Sequence, residues 1–115
     1  MLTFNDYQAK AEETAIYSRD AALIYTTLGL AGEAGEIANK VKKLIRDRDY
    51  QGNAVEAMLP SDEETIIREL GDVLWYVSAI ATDLGVSLGY VAQLNYSKLR
   101  DRAERNQIGG SGDER

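Results

Sequence analysis

The chain has 115 residues, of which 19 are acidic and 13 are basic, and it contains neither histidine nor cysteine. These absences exclude disulfides, thiol nucleophiles, Ser-His-Asp triads and zinc sites with nitrogen or sulfur ligands, leaving oxygen ligands that suit Mg²⁺ or Mn²⁺. The formal net charge of −6 argues against nucleic-acid or anionic-membrane partners, and no apolar run resembles a membrane span or a leader. We therefore expect a cytoplasmic, single-domain protein that gains stability from a partner subunit.

A single proline and long stretches of Ala, Leu, Glu, Lys and Arg predict an all-α fold. The expected architecture is a bundle of four to five helices. In chain order, the predicted helical segments are 3–18, 21–48, a short turn at 54–59, 61–84 and 87–106. We expect residues 1–107 to form one domain and the Gly-rich segment 108–115 to be a flexible tail.

Several predicted helix ends depend on specific local signals. Thr3 is the expected N-cap of the first helix. Pro60 is expected to end the short turn, after which Ser61 opens a capping box. Gly85 is the expected C-terminal stop of that helix, and Ser87 is the expected N-cap of the last one.

The second helix and the helix predicted from residue 61 carry the same pattern, offset by 36 residues. From the first apolar member, further apolar residues follow at steps of 7, 11 and 14 in both helices. These steps stay within roughly 40° of one another on a helical wheel, so each set forms one buried stripe. The stripes are Leu30, Ile37, Val41 and Leu44 in one helix, and Ile66, Val73, Val77 and Ile80 in the other.

Two acidic pairs, Glu33/Glu36 and Glu69/Asp72, occupy matching steps in these helices. The first acid of each pair lies on the margin of its stripe, and the second lies just beyond it. If the stripes pack together, four carboxylates converge, and a divalent cation would relieve their repulsion and desolvation. The pattern leaves two interpretations open, a metal site and ordinary surface acids.

Glycines recur beside these acids, at Gly29, Gly32, Gly35 and Gly71. Because glycine inside a helix costs about 0.5–1 kcal/mol relative to alanine, their presence predicts a close backbone approach around the carboxylates. Tight helix packing without any ligand explains the same pattern.

The last helix supplies the opposite charge. Asn95, Lys98 and Arg102 fall within roughly 80° of Leu88, on the face predicted to lie against the core. Lysine and arginine bind phosphate, and arginine does so with two parallel hydrogen bonds. The alternative is that both cations reach solvent or form structural salt bridges.

Two further residues lie one helical turn from a candidate ligand. Tyr76 follows Asp72 on the same face and is the aromatic residue best placed beside a metal ion. Most of the other aromatic residues that could hold a planar ring are expected in the core or a dimer interface. They are Tyr7, Tyr17, Tyr25 and Trp75. Lys40 follows Glu36 and is expected to form a salt bridge within its own helix and not to bind phosphate.

The segments GLAGEAGE at 29–36 and ELGDVLWY at 69–76 resemble the MazG-type nucleotide pyrophosphohydrolases of the all-α NTP pyrophosphatase superfamily. The resemblance is to short single-domain bacterial and phage members, whose signature is an E-x-x-E pair, a spacer and an E-x-x-D pair. It assigns Mg²⁺, for which Mn²⁺ substitutes, and catalysis to Glu33, Glu36, Glu69 and Asp72. It also assigns phosphate contacts to Asn95, Lys98 and Arg102. From its position beside Asp72, Tyr76 is expected to bind substrate by lining the sugar or base pocket.

The resemblance implies hydrolysis of a nucleoside triphosphate, with a dNTP expected, at the α–β phosphate bond to give the monophosphate and pyrophosphate. It also implies completion of the bundle as a homodimer or a dimer-of-dimers tetramer, in the host cytoplasm if the protein is phage-encoded. Three alternatives remain: a phosphoribosyl-ATP pyrophosphohydrolase, a dUTP pyrophosphohydrolase, and a non-catalytic helical dimerisation module. The base, the sugar, the number of metal ions and the general base stay open.

Overall fold

Helices account for all the regular structure in residues 1–48 and 52–105, the part of the chain that the computed structural model describes. The predicted tail at 108–115 lies outside these residues. The absence of strands within them confirms the all-α prediction. The elements are α1 (Phe4–Glu12), a 3₁₀ turn (Arg19–Ala21), α2 (Ile24–Asp47), α3 (Ala54–Ala57), α4 (Pro60–Asp83) and α5 (Leu88–Glu104).

In the described residues, each helix taken alone is too short or too polar to cross a membrane. Only α4 and α5 counted together meet the length and hydropathy of a span, and the chain bends by 102° between them.

α2 and α4 form a long antiparallel pair. Side chains meet in opposite order along the two helices, in the pairs Thr26–Asp83, Gly29–Tyr76, Lys40–Glu69 and Arg48–Asp62. Every member of the two predicted apolar stripes is buried or half-buried. The matched stripes therefore do mark the faces on which this pair packs.

Asp83, in the last turn of α4, fixes the beginning of α2. Its carboxylate is fully buried and lies 3.3 Å from the Arg19 guanidinium. It also accepts hydrogen bonds from the Tyr17 hydroxyl at 2.6 Å, the Leu23 backbone N–H at 2.8 Å and the Thr26 hydroxyl at 2.9 Å. Burial raises the pKa of Asp83, but these hydrogen bonds outweigh it and hold that pKa below its ordinary value.

Leu23 shows why α2 needs this anchor. It occupies the N-cap position of α2 with a left-handed φ of 68°, and its side chain provides no hydrogen bond to the helix. Helix N-termini leave backbone N–H groups without partners, and non-glycine residues rarely adopt this φ. The Asp83 carboxylate therefore does from α4 what a local capping side chain normally does.

The first helix is shorter than predicted, ending at Glu12 and not at residue 18. Tertiary hydrogen bonds draw the following residues away from helical geometry. The Trp75 indole N–H donates to the Thr14 hydroxyl at 2.8 Å, and Tyr17 binds Asp83. The predicted N-cap at Thr3 is confirmed, since its hydroxyl accepts from the Asp6 backbone N–H at 3.0 Å.

Two helix starts also differ from prediction. The second helix begins at Ile24 and not at residue 21, because residues 19–21 form the separate 3₁₀ turn. The capping box predicted at Ser61 is wrong, because Pro60 is itself the first residue of α4 and the Leu59 N–H donates to Asp62 at 3.1 Å. Proline suits the first helical position since no N–H donor is needed there.

The junction between α4 and α5 follows the predicted signals. Gly85 has a φ of +74°, and the N–H groups of Gly85 and Val86 close the last turn of α4 at 3.0 and 2.9 Å. The Ser87 hydroxyl caps α5 by accepting from the Tyr90 N–H at 3.0 Å. From α1, the Gln8 side chain accepts from the first N–H of α5 at 2.8 Å, holding α1 over this junction.

Much apolar surface is uncovered within the single chain. In the described residues 20 large apolar side chains are exposed, whereas only Leu44, Ala79, Ala81 and Leu88 are apolar and buried. A core this small provides little hydrophobic stabilisation, and the partner subunit expected from the sequence stays a prediction.

Replacing Asp83 by asparagine should lower the free energy of unfolding by about 2–3 kcal/mol, because an amide group cannot accept from all the buried donors. Urea denaturation followed by circular dichroism at matched protein concentrations measures this loss. Asp101→Asn is the control, since Asp101 is an exposed partner of Arg105, and its loss should be about 0.5 kcal/mol or less. Equal losses would contradict the anchoring role of Asp83.

The same pair of proteins tests the pH dependence. Because the pKa of Asp83 is lower in the folded than in the unfolded chain, its stabilisation is complete above the unfolded value of about 3.9. This stabilisation is lost as the pH falls through the lower pKa that Asp83 has in the folded chain. The stability difference between wild type and Asp83→Asn should therefore be constant from about pH 5 to 7 and shrink below about pH 4.

Candidate metal centre

Three of the predicted acids converge near the middle of the α2–α4 pair. Glu33 of α2 and Glu69 and Asp72 of α4 each offer a carboxylate oxygen, and these oxygens lie within 4.8 Å of one another. Glu33 and Glu69 are half-buried and Asp72 is exposed, which matches the predicted placement of the pairs on and just beyond the margin of the stripes. Packing of the two stripes is therefore what brings these carboxylates together.

The carboxylate cluster has more negative charge than its surroundings balance. Glu69 Oε1 lies 3.6 Å from the Lys40 ammonium, whereas Glu69 Oε2 is buried and has no hydrogen-bond partner within the described residues. The adjacent Glu69 carboxylate, then burial and the negative charge of Asp72, raise the pKa of Glu33. This repulsion favours an additional positive charge at the cluster.

The donor set fits a divalent cation of the hard-oxygen class. All three side chains offer carboxylate oxygens, the ligands that Mg²⁺ and Mn²⁺ prefer, and the chain has no histidine or cysteine to select a softer metal. The partnerless Glu69 Oε2 is the atom that gains most from such an ion. Glu33, Glu69 and Asp72 are therefore suitable ligands.

Glu36, the fourth predicted ligand, lies outside this group of three and is exposed. It is close enough for its charge to contribute to the raised pKa of Glu33. Its role as a ligand stays a prediction.

Lys40 corrects another expectation. The salt bridge predicted within its own helix is wrong, because Lys40 pairs with Glu69 of α4. The antiparallel register places Glu69 directly across from this turn of α2. Lys40 thus balances one edge of the carboxylate cluster.

An open cavity of about 350 Å³ adjoins the acids and is termed here the aromatic pocket; it is lined by Thr14, Glu33, Asp72, Trp75 and Tyr76. The Trp75 ring meets the Tyr76 ring edge-on, with centroids 5.0 Å apart. The indole is held in place by its hydrogen bond to Thr14. Tyr76 thus lies beside the acids, where the sequence places it.

The absence of a side chain at Gly29 leaves room for the Tyr76 ring. A Cβ at residue 29 would collide with the Tyr76 ring, whereas Cβ atoms at Gly32, Gly35 and Gly71 would meet no atom within 4 Å. Of the four glycines predicted to allow a close approach, only Gly29 therefore does so within the described part of the chain. At Gly29 the group that packs closely against α2 is the Tyr76 ring and not the backbone of another helix.

The polar ladder of α5 is largely open within this chain. Asn95 and Lys98 are exposed, and Arg102 is buried. The apolar residues between them, Val91 and Leu99, are 38% and 42% exposed. The face predicted to lie against the core is thus mostly uncovered, and the phosphate contacts expected of these residues stay predictions.

Other features of the site were not predicted. The roles of Thr14 and Asp83 do not follow from local spacing, because each acts through a partner more than 50 residues away in the chain. The concentration of cations at 40–48 was not predicted either, although local charge density gives a clear signal there.

Gly29→Ala should displace Tyr76 and lower the free energy of unfolding by about 1–2 kcal/mol, since the added methyl group occupies the space of the ring. Near-ultraviolet circular dichroism reports the changed Trp75–Tyr76 contact, and urea denaturation reports stability. The matched control is Gly32→Ala in the same helix, which should gain about 0.5–1 kcal/mol from helix propensity. A gain in both variants would show that Tyr76 does not depend on Gly29.

Comparison with known proteins agrees with the sequence signature. Residues 23–106 match the MazG nucleotide pyrophosphohydrolase domain family, a range that contains all the predicted site residues. The Gene 37 protein of Mycobacterium phage L5 is 45% identical over 115 residues, which cover 95% of this chain and 96% of that protein. No solved structure matches the chain. The protein belongs to the MazG nucleotide pyrophosphohydrolase family.

Proposed function

We propose that the protein hydrolyses nucleoside triphosphates, with deoxynucleoside triphosphates as the main substrates, at the α–β phosphate bond. The products are the nucleoside monophosphate and pyrophosphate. The observation that carries the proposal is the convergence of Glu33, Glu69 and Asp72 in a chain of this family. An acidic protein can accept a polyanionic substrate at such a cluster only together with positive charge.

Glu33, Glu69 and Asp72 are the proposed ligands of Mg²⁺, with Glu36 joining them from the next turn of α2. Mn²⁺ is the proposed substitute. When bound, the cation would supply positive charge beside the phosphates and acidify a water molecule. Glu33 is the proposed proton acceptor, because it belongs to the carboxylate cluster and also lines the aromatic pocket beside Asp72.

The aromatic pocket is the proposed site of the nucleoside. It opens next to Glu33 and Asp72, and Trp75 and Tyr76 offer ring surfaces to a sugar or a base. Lys98 and Arg102 of α5 are the proposed contacts of the phosphates, and Asn95 would orient a phosphate or sugar oxygen.

We further propose that a second copy of the chain covers the exposed apolar surface, giving a homodimer or a dimer of dimers. The support is the imbalance between 20 exposed large apolar side chains and four buried apolar residues in the described part of the chain. The uncovered face of α5 lies within that surface, so assembly would also change the surroundings of the polar ladder.

Asp72→Asn should abolish metal-dependent turnover, lowering kcat/KM by about 100-fold or more, because it removes a charged ligand from the cluster. Pyrophosphate release measures turnover, calorimetry with Mg²⁺ and Mn²⁺ measures binding, and circular dichroism checks that the helices remain. Glu64→Gln is the control, since Glu64 is an exposed acid of the same helix that pairs with Arg68. Glu36→Gln should resemble Asp72→Asn. Full activity in Asp72→Asn would refute the assignment.

The products test the bond that is cleaved. Incubation with each common NTP and dNTP and Mg²⁺ should release pyrophosphate and monophosphate, with higher kcat/KM for the dNTPs. Orthophosphate as the first product would contradict α–β cleavage. Activity confined to dUTP or to phosphoribosyl-ATP would select those alternatives, and no metal binding with no turnover would favour the non-catalytic module.

A further inference from the structure

The proposed function leaves one strongly charged segment unused. Residues 40–48 contain five of the 13 cations in a chain whose net charge is −6, namely Lys40, Lys42, Lys43, Arg46 and Arg48. Such a local excess of positive charge in an acidic protein is a candidate binding surface for an anion.

Three of these cations line a cavity of about 230 Å³ between the end of α2 and the beginning of α4, termed here the basic groove. Its lining comprises Lys40, Lys43, Leu44, Asp47, Arg48, Asp62, Thr65 and Ile66. This volume lies below the range of about 300–1,000 Å³ typical of sites for whole drug-sized ligands, so it suits a small anion.

The two acids of the groove already have basic partners. Asp47 accepts two hydrogen bonds from Arg46, at 2.6 and 2.9 Å, and Arg46 does not line the groove. Asp62 accepts from Arg48 at 3.2 and 3.3 Å. The groove acids therefore do not cancel the charge of the lysines.

Lys43 is the groove cation least committed to a neighbour. Within the described residues it makes no ion pair at 4.0 Å or less, and its effect on Asp47 is smaller than that of Arg46 or Arg48. Its side chain is exposed on the same helical face as Lys40, one turn away. An incoming anion thus meets a cation that has no ion pair to break among the described residues.

The basic groove continues directly from the carboxylate cluster. Lys40 lines the groove and also contacts Glu69, and Ile66 of the groove precedes Glu69 by about 4.5 Å along α4. The aromatic pocket opens on the opposite side of the cluster, at Asp72 and Tyr76. The α2–α4 pair therefore presents aromatic rings, carboxylates and lysines in that order.

We propose that the basic groove binds the diphosphate end of the substrate and then holds inorganic pyrophosphate, with Lys43 as its main contact. This inference rests on the proposed function for the identity of the anion. Water oxygen bonds to the α-phosphorus, and its proton passes to Glu33. The bond from that phosphorus to the bridging oxygen breaks, and the oxygen leaves with the electron pair as part of pyrophosphate. The cations of the basic groove stabilise the negative charge that develops on the leaving pyrophosphate.

Binding of inorganic pyrophosphate, measured by calorimetry at fixed free Mg²⁺, tests the groove without turnover. Lys43→Gln should weaken pyrophosphate binding about tenfold, as expected for one charge-assisted contact, and should leave nucleoside monophosphate binding within about twofold. Lys42→Gln is the matched control, since Lys42 has the same charge one residue away, is exposed and does not line the groove. Lys43→Arg should retain pyrophosphate binding within about twofold.

Equal pyrophosphate affinity in Lys43→Gln and Lys42→Gln would overturn the proposed role of the basic groove. So would a loss of monophosphate affinity in Lys43→Gln as large as its loss of pyrophosphate affinity. Failure of the proposed function gives a different result. A wild-type protein that hydrolyses no nucleoside triphosphate, yet binds pyrophosphate through Lys43, would refute the hydrolase and support the groove. If the protein hydrolyses nucleoside triphosphates but Lys43→Gln leaves pyrophosphate affinity unchanged, only the proposed role of the basic groove is refuted.

Discussion

The buried Asp83 carboxylate sets the geometry on which the rest of the protein depends. α2 has no capping side chain of its own, so its first turn is stable where α4 supplies an acceptor. That requirement fixes which residues of the two helices face one another. Along the resulting register Gly29 meets Tyr76, Glu33 meets Asp72, and Lys40 meets Glu69. The packed stripes bring the carboxylates together, and a hydrogen-bonded anchor about 16 Å away along α4 holds the register of that packing.

The periodic features of this fold could be predicted from the sequence, because they depend on residues within a few turns of one another. The matched apolar stripes, the acidic pairs on their margins, Tyr76 beside the acids and the caps at Gly85 and Ser87 are of this kind. The early end of α1 is not, because it depends on Thr14 meeting Trp75 across the fold. Nor is the partner of Lys40, because local spacing favours Glu36 and only the register of the helix pair places Glu69 beside Lys40.

The carboxylate cluster at the centre of the helix pair is bounded by two different contacts between α2 and α4. Gly29 admits the Tyr76 ring against α2, which positions the ring beside Asp72 and closes one side of the cluster. Lys40 closes the other side at Glu69. Between them Glu69 Oε2 is buried without a hydrogen bond from any described residue, a cost that a well-packed helical interface does not normally carry. A cation bound at the cluster, as proposed, would give this atom a partner.

The net charge of −6 does not indicate how strongly each part of the surface attracts phosphate. The charges are sorted along α2, with Glu33 and Glu36 in its middle and five cations between residues 40 and 48. At physiological ionic strength charges are screened over about 8 Å, which is close to the 10 Å that seven residues of helix span. A ligand near Lys43 consequently experiences the local cations more strongly than the acidic remainder of the surface. Because the carboxylates lie at one end of this gradient, the proposed triphosphate substrate, extended along α2, would meet the proposed cation first and Lys43 next. That order would set its direction on the helix pair.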